Sequence, residues 1–180
     1  CWEWRRMSGQ ATHEQFASMA QEAEARGLIC VMMTITLPRR FHPLRRGVPN
    51  LNYAGETPRD GQRWLLSMWA KVRAGMARSG LRTYGMRGVE PHHDGMPHWH
   101  VMMFMQRGND LFAKSIIRRY AREGAEECLV DARHLCGAST ATHYAERFAK
   151  AALEEKAWSA TWGIRLNSFF GVSDEVGAAK

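Results

Sequence analysis

Two kinds of hydrophobic pattern alternate along this chain. Apolar residues three or four apart predict amphipathic helices, whereas runs of about four to eight apolar or β-branched residues bounded by glycine or proline predict strands. The patterns predict helices at residues 11–26, 60–79, 111–123 and 139–156. They predict strands at residues 28–37, 83–90, 98–105, 127–133 and 164–170, and a loop rich in proline and glycine at 38–59.

The order of these elements predicts the fold class. From residue 28 onward the order is strand, helix, two strands, helix, strand, which is the split βαβ pattern of ferredoxin-like, RRM-like α+β folds. We therefore expect a central antiparallel sheet of about five strands with helices packed on it. The expected organisation is an N-terminal helical extension at 1–27, one main domain at 28–171 and a frayed tail at 172–180.

The helix predicted at 60–79 carries a stripe of large apolar residues at helical spacing. A core role is expected for this stripe in preference to stacking on nucleic-acid bases. Its members are Trp64, Leu65, Met68, Trp69, Val72 and Met76.

Composition points to an anionic partner. The 180 residues carry a formal net charge of +7, with a sequence pI near 9.6. Arginine pairs with phosphate through two donors, so nucleic acid is the simplest partner for this charge. We expect the arginines that follow the first strand, Arg39, Arg40, Arg45 and Arg46, to contact DNA. A second cluster at residues 118–122 fits a solvated helix face equally well.

Cysteine spacing and hydropathy restrict the kinds of site and the compartment that fit this chain. The four cysteines lack CxxC spacing, so the sequence predicts neither a zinc knuckle nor a disulfide framework, and a reducing cytoplasm fits. The longest apolar run, at 28–37, is too short to span a membrane. The chain begins at Cys1 without methionine, which suggests a piece of a longer protein.

The segment EPHHDGMPHWH at 90–100 predicts a metal site on a hairpin. Successive side chains of a strand point to opposite faces, so His98 and His100 share one face and Trp99 lies on the other. The Asp-Gly pair within 91–97 supplies a turn that would bring Glu90 opposite His98. Two imidazoles and a carboxylate suit a divalent ion such as Mn²⁺, Mg²⁺, Co²⁺ or Zn²⁺.

Neighbouring histidines are weaker ligand candidates. A pair of histidines two apart in a strand also occurs by chance, and Glu90 strengthens this pair because it adds a third ligand from the same hairpin. His92 and His93 fall in the predicted loop, where solvent exposure or a phosphate contact is expected instead of ligation.

Tyr144 is the candidate nucleophile. On the helix predicted at 139–156 it shares a face with Arg147 and Phe148. A free phenol has a pKa of about 10, so it needs a nearby cation to attack phosphorus at neutral pH. Arg147 or Lys150 could stabilise the phenolate or the phosphate, and a divalent ion could activate the phosphate. Taken alone, a helical tyrosine is more often a packing residue.

A family resemblance rests on several segments in a fixed order. They are VMMTITLP at 31–38, NLNYAG at 50–55, Thr57-Pro58, EPHHDGMPHWHVMMF at 90–104, the Tyr144 helix, and TWGIR at 161–165. In this order they resemble the HUH endonucleases, and among these the bacteriophage replication gene A protein family. The resemblance covers residues from about 27 to 171.

The resemblance implies a function and a set of roles. Proteins of this kind nick one DNA strand at an origin, stay attached to the 5′ phosphate through tyrosine and leave a 3′ hydroxyl for rolling-circle synthesis. By position, His98 and His100 would be the motif histidines and Glu90 the third ligand. The implied cofactor is Mn²⁺ or Mg²⁺, with Co²⁺, Ni²⁺ or Zn²⁺ as alternatives. The implied partners are single-stranded DNA or an origin hairpin and a host replication helicase, with a monomeric isolated domain in the cytoplasm.

The sequence departs from the family pattern at the nucleophile helix. The family shows two tyrosines four apart with lysines between them, but Phe148 stands at the second position and Arg147 replaces a lysine. Three interpretations follow: a protein with one working nucleophile, a trapped mutant, or a relative that binds DNA without cutting it. We favour the first.

Other functions remain as alternatives. A non-cleaving origin-binding module would keep the fold, and a transposase or plasmid relaxase would use the same chemistry. An RNA-binding domain of similar topology is least favoured, because its aromatic strand signature is absent.

Overall fold

The computed structural model of this chain describes residues 9–122, 129–135 and 155–172. These residues form the helices α1 (Gly9–Ala25), α2 (Pro58–Arg78), α3 (Asp110–Ala121) and α4 (Lys156–Trp162). They also form the strands β1 (Ile29–Thr36), β2 (Leu44–Arg45), β3 (Val48–Pro49), β4 (Thr83–Pro91), β5 (Pro97–Met105), β6 (Leu129–Leu135) and β7 (Asn167–Val172).

Five strands form one antiparallel sheet in the order β6-β1-β5-β4-β7. Strand β5 lies between β1 and β4, and β1 lies between β5 and β6, so the long hairpin of β4 and β5 occupies the centre of the sheet. Strands β2 and β3 form a separate small hairpin. The predicted α+β class with a central antiparallel sheet is confirmed, whereas the finer ferredoxin-like assignment stays a prediction, as do the domain boundaries.

The two faces of the sheet bury different helices. Alternate residues of β1 and β5, such as Met33, Ile35 and Trp99, face a core that also contains residues of α2 and α3. The opposite face presents Met102 and Phe104 to α1. Strand alternation produces this division, because each strand sends every second side chain to one face. The helix predicted at 11–26 therefore packs directly on the sheet.

Helix α2 begins at a capping box. The Thr57 hydroxyl accepts the backbone N–H of Asp60, whose carboxylate accepts the backbone N–H of Thr57, and Pro58 occupies the first turn. The predicted stripe packs in the core, which confirms that expectation. Its fully or nearly fully buried members are Leu65, Met68, Trp69, Val72 and Met76, and Trp64 is partly buried.

Some boundaries differ from the predicted ones. The segment at 38–59 is not only loop, since it contains a 3-10 turn at Arg39–Phe41 and the β2–β3 hairpin. Helix α4 was not predicted as a separate element, and β7 starts three residues later than expected. Gly163, with φ of +65°, ends α4 because this backbone conformation suits glycine. Among the described helices, none has the length and hydrophobicity needed to cross a membrane.

Candidate metal centre

The central hairpin brings the predicted ligands together. The register of β4 and β5 pairs Glu90 with His98 and Gly88 with His100, as the Asp-Gly turn predicts. Gly95 has φ of +84°, which glycine adopts without strain, and the backbone N–H of His92 donates to Met96 O across the turn at 2.7 Å. Glu90, His98 and His100 therefore lie on one face at the open end of the sheet.

Two threonines of β1 hold the histidine rings. Strand β1 pairs Thr34 with His100 and Thr36 with His98. The Thr34 Oγ1 lies 3.2 Å from Nδ1 of His100, and the Thr36 Oγ1 lies 3.1 Å from Nδ1 of His98. A hydroxyl can accept from a protonated Nδ1, which leaves the lone pair on Nε2 for a metal ion. Both rings are thus fixed by the nitrogen that ligation does not need.

The predicted ligands are close together in pairs. The rings of His98 and His100 have centroids 4.7 Å apart, and Nε2 of His100 lies 3.2 Å from Oε2 of Glu90. That contact is favourable when a proton lies between nitrogen and oxygen, and a divalent cation can replace the proton. This donor set fits a divalent metal ion, as the sequence analysis expects.

Electrostatics keep His98 neutral. Burial, together with the nearby His100 and His92, lowers the pKa of His98 from 6.5 to about 4. A neutral imidazole has the free lone pair that metal ligation requires. At neutral pH His98 is therefore ready to bind a cation without first losing a proton.

The depressed pKa of His98 predicts a pH-dependent stability. Between pH 6.5 and about 4 the unfolded chain binds a proton at this position that the folded chain does not bind. Stability from His98 is fully present above pH 6.5 and is lost as the pH falls towards 4. We expect urea unfolding in EDTA, measured from pH 7 to pH 4, to show a smaller loss of stability for His98→Asn than for the native chain.

Asparagine is the suitable replacement for this measurement, because its amide lies near the position of Nδ1 and can keep the Thr36 hydrogen bond. Titrating groups far from His98 contribute equally to both proteins and cancel in the comparison. Identical pH slopes for the two proteins would show that His98 ionises normally.

A second cluster lies beside the predicted ligands. His42, His92 and Asp94 place ligand atoms within 4.8 Å of one another, and the rings of His92 and His98 have centroids 5.7 Å apart. His93 is exposed, as expected for the loop, but the His92 side chain is only 31% exposed. His92 therefore belongs to the site surroundings and not to open solvent.

Hydrogen bonding makes His42 a structural residue in this arrangement. Its Nδ1 lies 2.6 Å from Oδ2 of Asp94, and its Nε2 lies 3.2 Å from the carbonyl oxygen of Leu37. Both partners are acceptors, so a ring nitrogen of His42 that carries a proton donates to the one it faces. Burial acts to raise the pKa of Asp94, but hydrogen bonds from His42 and the Met96 N–H outweigh it and lower that pKa. The pair clamps the hairpin turn to the segment after β1.

Helix α4 holds the same turn from another direction. The indole Nε1–H of Trp158 donates to the carbonyl oxygen of Gly95 at 3.0 Å. Arg59 at the start of α2 donates from Nε to the carbonyl oxygen of Trp162 at 3.2 Å. The turn of the ligand hairpin is therefore fixed by contacts to two distant segments.

The predicted arginines surround the small hairpin. Arg46 and Gly47 form its tip with positive φ angles of +50° and +81°, the combination of a type I′ turn. Arg39, Arg45 and Arg46 are exposed. Arg40 is partly buried. Its Nη1 lies 2.7 Å from Oε1 of Glu56, and its Cζ lies 4.3 Å from the ring centroid of Phe41.

Comparison with known proteins assigns the family. The family model described as "Bacteriophage replication gene A protein (GPA)" matches residues 3–164. The chain belongs to the bacteriophage replication gene A protein family.

Relatives of this gene A family member carry replication names. A "Probable replication endonuclease from prophage-like region" of Shigella boydii is 43% identical over 107 residues, covering 58% of this chain and 13% of the relative. The "Replication gene A protein" of Escherichia phage 186 is 40% identical over 98 residues, covering 54% of this chain and 14% of the relative. The protein of the same name from Escherichia phage P2 is 33% identical over 150 residues, covering 74% of this chain and 20% of the relative. The chain thus spans 13 to 20% of the length of these three relatives. No solved structure matches it significantly.

The predicted site of this gene A family member is only partly described. The structure brings Glu90, His98 and His100 together and places the arginines of 39–46 in one segment. The predicted catalytic residues Tyr144, Arg147 and Lys150 lie outside the described residues. Their roles stay predictions.

Several residues of the site were not predicted. Thr34 and Thr36 alternate with apolar residues along β1, which is a readable signal for one strand face. His42 and Asp94 lie 52 positions apart in the chain, and no local pattern links them. The contact between His42 and Asp94 depends on the folded arrangement of this gene A family member.

Proposed function

We propose that this chain is the DNA-nicking domain of a phage-type replication initiator. One observation carries the proposal: Glu90, His98 and His100 lie side by side on one face of the central hairpin, with the Nδ1 atoms of both histidines within hydrogen-bond distance of threonines of β1. Membership of the gene A family makes an origin of replication the expected target. The proposed activity is site-specific cleavage of single-stranded DNA that initiates rolling-circle replication.

Glu90, His98 and His100 would hold the cofactor, for which Mn²⁺ and Mg²⁺ are favoured. The bound ion would act as a Lewis acid on the scissile phosphate. The chain's own contribution is to present one carboxylate and two imidazoles from neighbouring strands. Ligands fixed on a central hairpin would hold such an ion in a defined position.

Tyr144 would supply the nucleophile. Its oxygen would form a bond to phosphorus while the bond from phosphorus to the 3′ oxygen breaks. The phenol proton leaves the nucleophile and the departing 3′ oxygen gains one, which yields a 3′ hydroxyl and a 5′ phosphate joined to tyrosine. Arg147 or Lys150 would stabilise the negative charge that develops on phosphate. The sequence provides one such tyrosine in the helix predicted at 139–156, because position 148 is phenylalanine.

DNA would approach across the segment after β1. The exposed Arg39, Arg45 and Arg46 offer cations in the same segment as His42, which contacts Asp94 of the ligand hairpin. Net charge of +7 favours a polyanion, and binding should weaken steeply with salt. A host replication helicase is the proposed protein partner of the longer initiator, and a monomer is the proposed state of the isolated domain.

The proposed reaction leaves a covalent product that a denaturing gel detects. The chain is incubated with Mn²⁺ and a labelled single strand that carries the origin of its own replicon. We expect a nicked strand and a protein–DNA adduct from the native chain, and neither from Tyr144→Phe, because phenylalanine has no oxygen to attack phosphorus.

Two further variants make the result specific. Phe148→Tyr tests whether a second hydroxyl restores attack by two tyrosines. Tyr53→Phe is a matched control, since the Tyr53 hydroxyl donates to the nearby carbonyl oxygen of Glu56. Tyr53→Phe should form the adduct at the native level. Adduct from Tyr144→Phe at that level would exclude Tyr144 as the nucleophile.

Phe148 also supports a second function, a non-cleaving origin-binding module. Such a module would bind the origin strand with the same salt dependence and leave it intact. The same gel separates the two functions, because tight binding without any nick or adduct favours the module.

A further inference from the structure

A cleft lies on the face of the sheet opposite the candidate metal centre. It has a volume of about 480 Å³ and is lined by α2, β4 and the segment from α4 into β7. Strand alternation puts Arg87 on this face, because Glu90, three residues later, faces the metal site. The cleft is therefore separated from Glu90, His98 and His100 by the sheet itself.

Arg87 is the central group of the cleft. Its side chain is 9% exposed, and its Cζ lies 4.0 Å from the ring centroid of Trp99. Its Nε has no hydrogen-bond partner in the described part of the chain. A buried guanidinium with an unused donor is costly unless a ligand or partner completes it.

Other cations share the cleft. Arg73 of α2 and Arg165 after α4 also line it, and none of the described lining residues is acidic. Burial, followed by repulsion from Arg165 and Arg73, lowers the pKa of Arg87 to about 10. Three guanidinium groups in one cleft favour an anionic ligand.

Neutral residues shape the rest of the wall. The amide oxygen of Gln62 accepts the indole N–H of Trp99 at 2.8 Å, so the Gln62 amide nitrogen keeps its two N–H donors. Leu66, Trp69 and Ile164 supply apolar surface. The combination of clustered guanidiniums with apolar walls matches a ligand that is anionic at one end and aromatic at the other. A cleft of this size falls in the usual range for a small molecule.

We propose that this cleft binds one nucleotide, with its phosphate held by Arg73, Arg87 and Arg165 and its base against the apolar wall. Guanidinium groups recognise phosphate through paired donors, and the unused donor of Arg87 supplies one of them. The nucleotide is either free or the end of a DNA strand, since both present the same phosphate. The site is distinct from the proposed nicking centre.

Calorimetry in phosphate-free, low-salt buffer with EDTA tests the proposal on the native chain. The probes are deoxyadenosine monophosphate, deoxyadenosine, inorganic phosphate and a 5′-phosphorylated tetranucleotide. We expect the monophosphate to bind more tightly than phosphate, and deoxyadenosine not to bind. Arg73→Gln should weaken monophosphate binding by about 10-fold to 100-fold, as expected for one charge-assisted contact. Tetranucleotide binding at least ten times tighter than the monophosphate identifies a strand end, and equal binding identifies the free nucleotide.

Two variants control the measurement. Arg118→Gln removes the same charge from the exposed face of α3 and should leave binding unchanged. His98→Asn should also bind normally, so that loss of the nicking activity and loss of this site are distinguishable. No monophosphate binding by the native chain, or equal binding by Arg73→Gln, overturns the proposal.

A stability measurement adds an independent readout. Arg87→Met replaces the buried guanidinium with an apolar chain of similar length, which removes the unsatisfied donor and the repulsion among cations. We expect its unfolding midpoint without ligand to equal or exceed that of the native chain, while monophosphate no longer raises it. A large loss of stability together with an unchanged response to monophosphate contradicts the assignment.

Discussion

His98→Asn is expected to lower the affinity for Mn²⁺ by at least about 100-fold and to abolish nicking of the origin strand. Removing a residue that only hydrogen-bonds to a metal ligand typically lowers metal affinity by about 10-fold to 100-fold. His98 would be a direct ligand, so a loss at least this large is expected. Asparagine can keep the hydrogen bond to Thr36 while it lacks the distal nitrogen. The substitution therefore removes the proposed metal–ligand bond and preserves the hydrogen bond to Thr36.

Matched variants separate ligation from general damage. His93→Asn changes an exposed neighbour in the same turn and should bind Mn²⁺ with native affinity. Thr36→Val removes the hydrogen bond that supports His98, and its affinity for Mn²⁺ should lie between those of His98→Asn and His93→Asn. Binding is measured by calorimetry, and folding is checked by circular dichroism. Native Mn²⁺ affinity in folded His98→Asn would place the ion elsewhere, with His42, His92 and Asp94 as the next ligands to test.

The local sequence pattern was sufficient to predict the hairpin that carries Glu90, His98 and His100. A period of two residues and an Asp-Gly turn fix which side chains share a face, so the pairing of Glu90 with His98 follows from a short segment alone. The same reasoning placed Trp99 on the face opposite the ligands, and the structure buries it fully there. Sequence reasoning works well here because every relevant contact lies within one hairpin.

Contacts between distant segments were not predictable in this way. That Thr34 and Thr36 support the histidines depends on β1 lying beside β5, which no local pattern specifies. The clamp of His42 on Asp94 and the burial of Arg87 depend on how the β1–α2 segment and α4 pack. A lone arginine in a strand normally indicates an exposed face, and only the packed structure places it against Trp99.

Gly85→Ala is expected to destabilise the chain more than any other single substitution considered. Gly85 pairs with Met103 in the central hairpin, and a Cβ at this position would overlap the carbonyl oxygen of Met102 and lie 2.9 Å from its carbonyl carbon. Backbone atoms of a central strand cannot move aside without breaking the ladder of β4 and β5. We expect a loss of at least about 4 kcal/mol in the free energy of unfolding, measured by urea titration with tryptophan fluorescence.

Gly108→Ala provides the comparison, because a Cβ there meets no atom within 4 Å and only the positive φ of +93° opposes it. That strain should cost about 1 to 2 kcal/mol. If Gly85→Ala is no less stable than Gly108→Ala, then β4 and β5 can separate locally at little cost. In that case the same hairpin could not hold Glu90 and His98 rigidly, and the geometric basis of the proposed metal site would be lost together with the stability prediction.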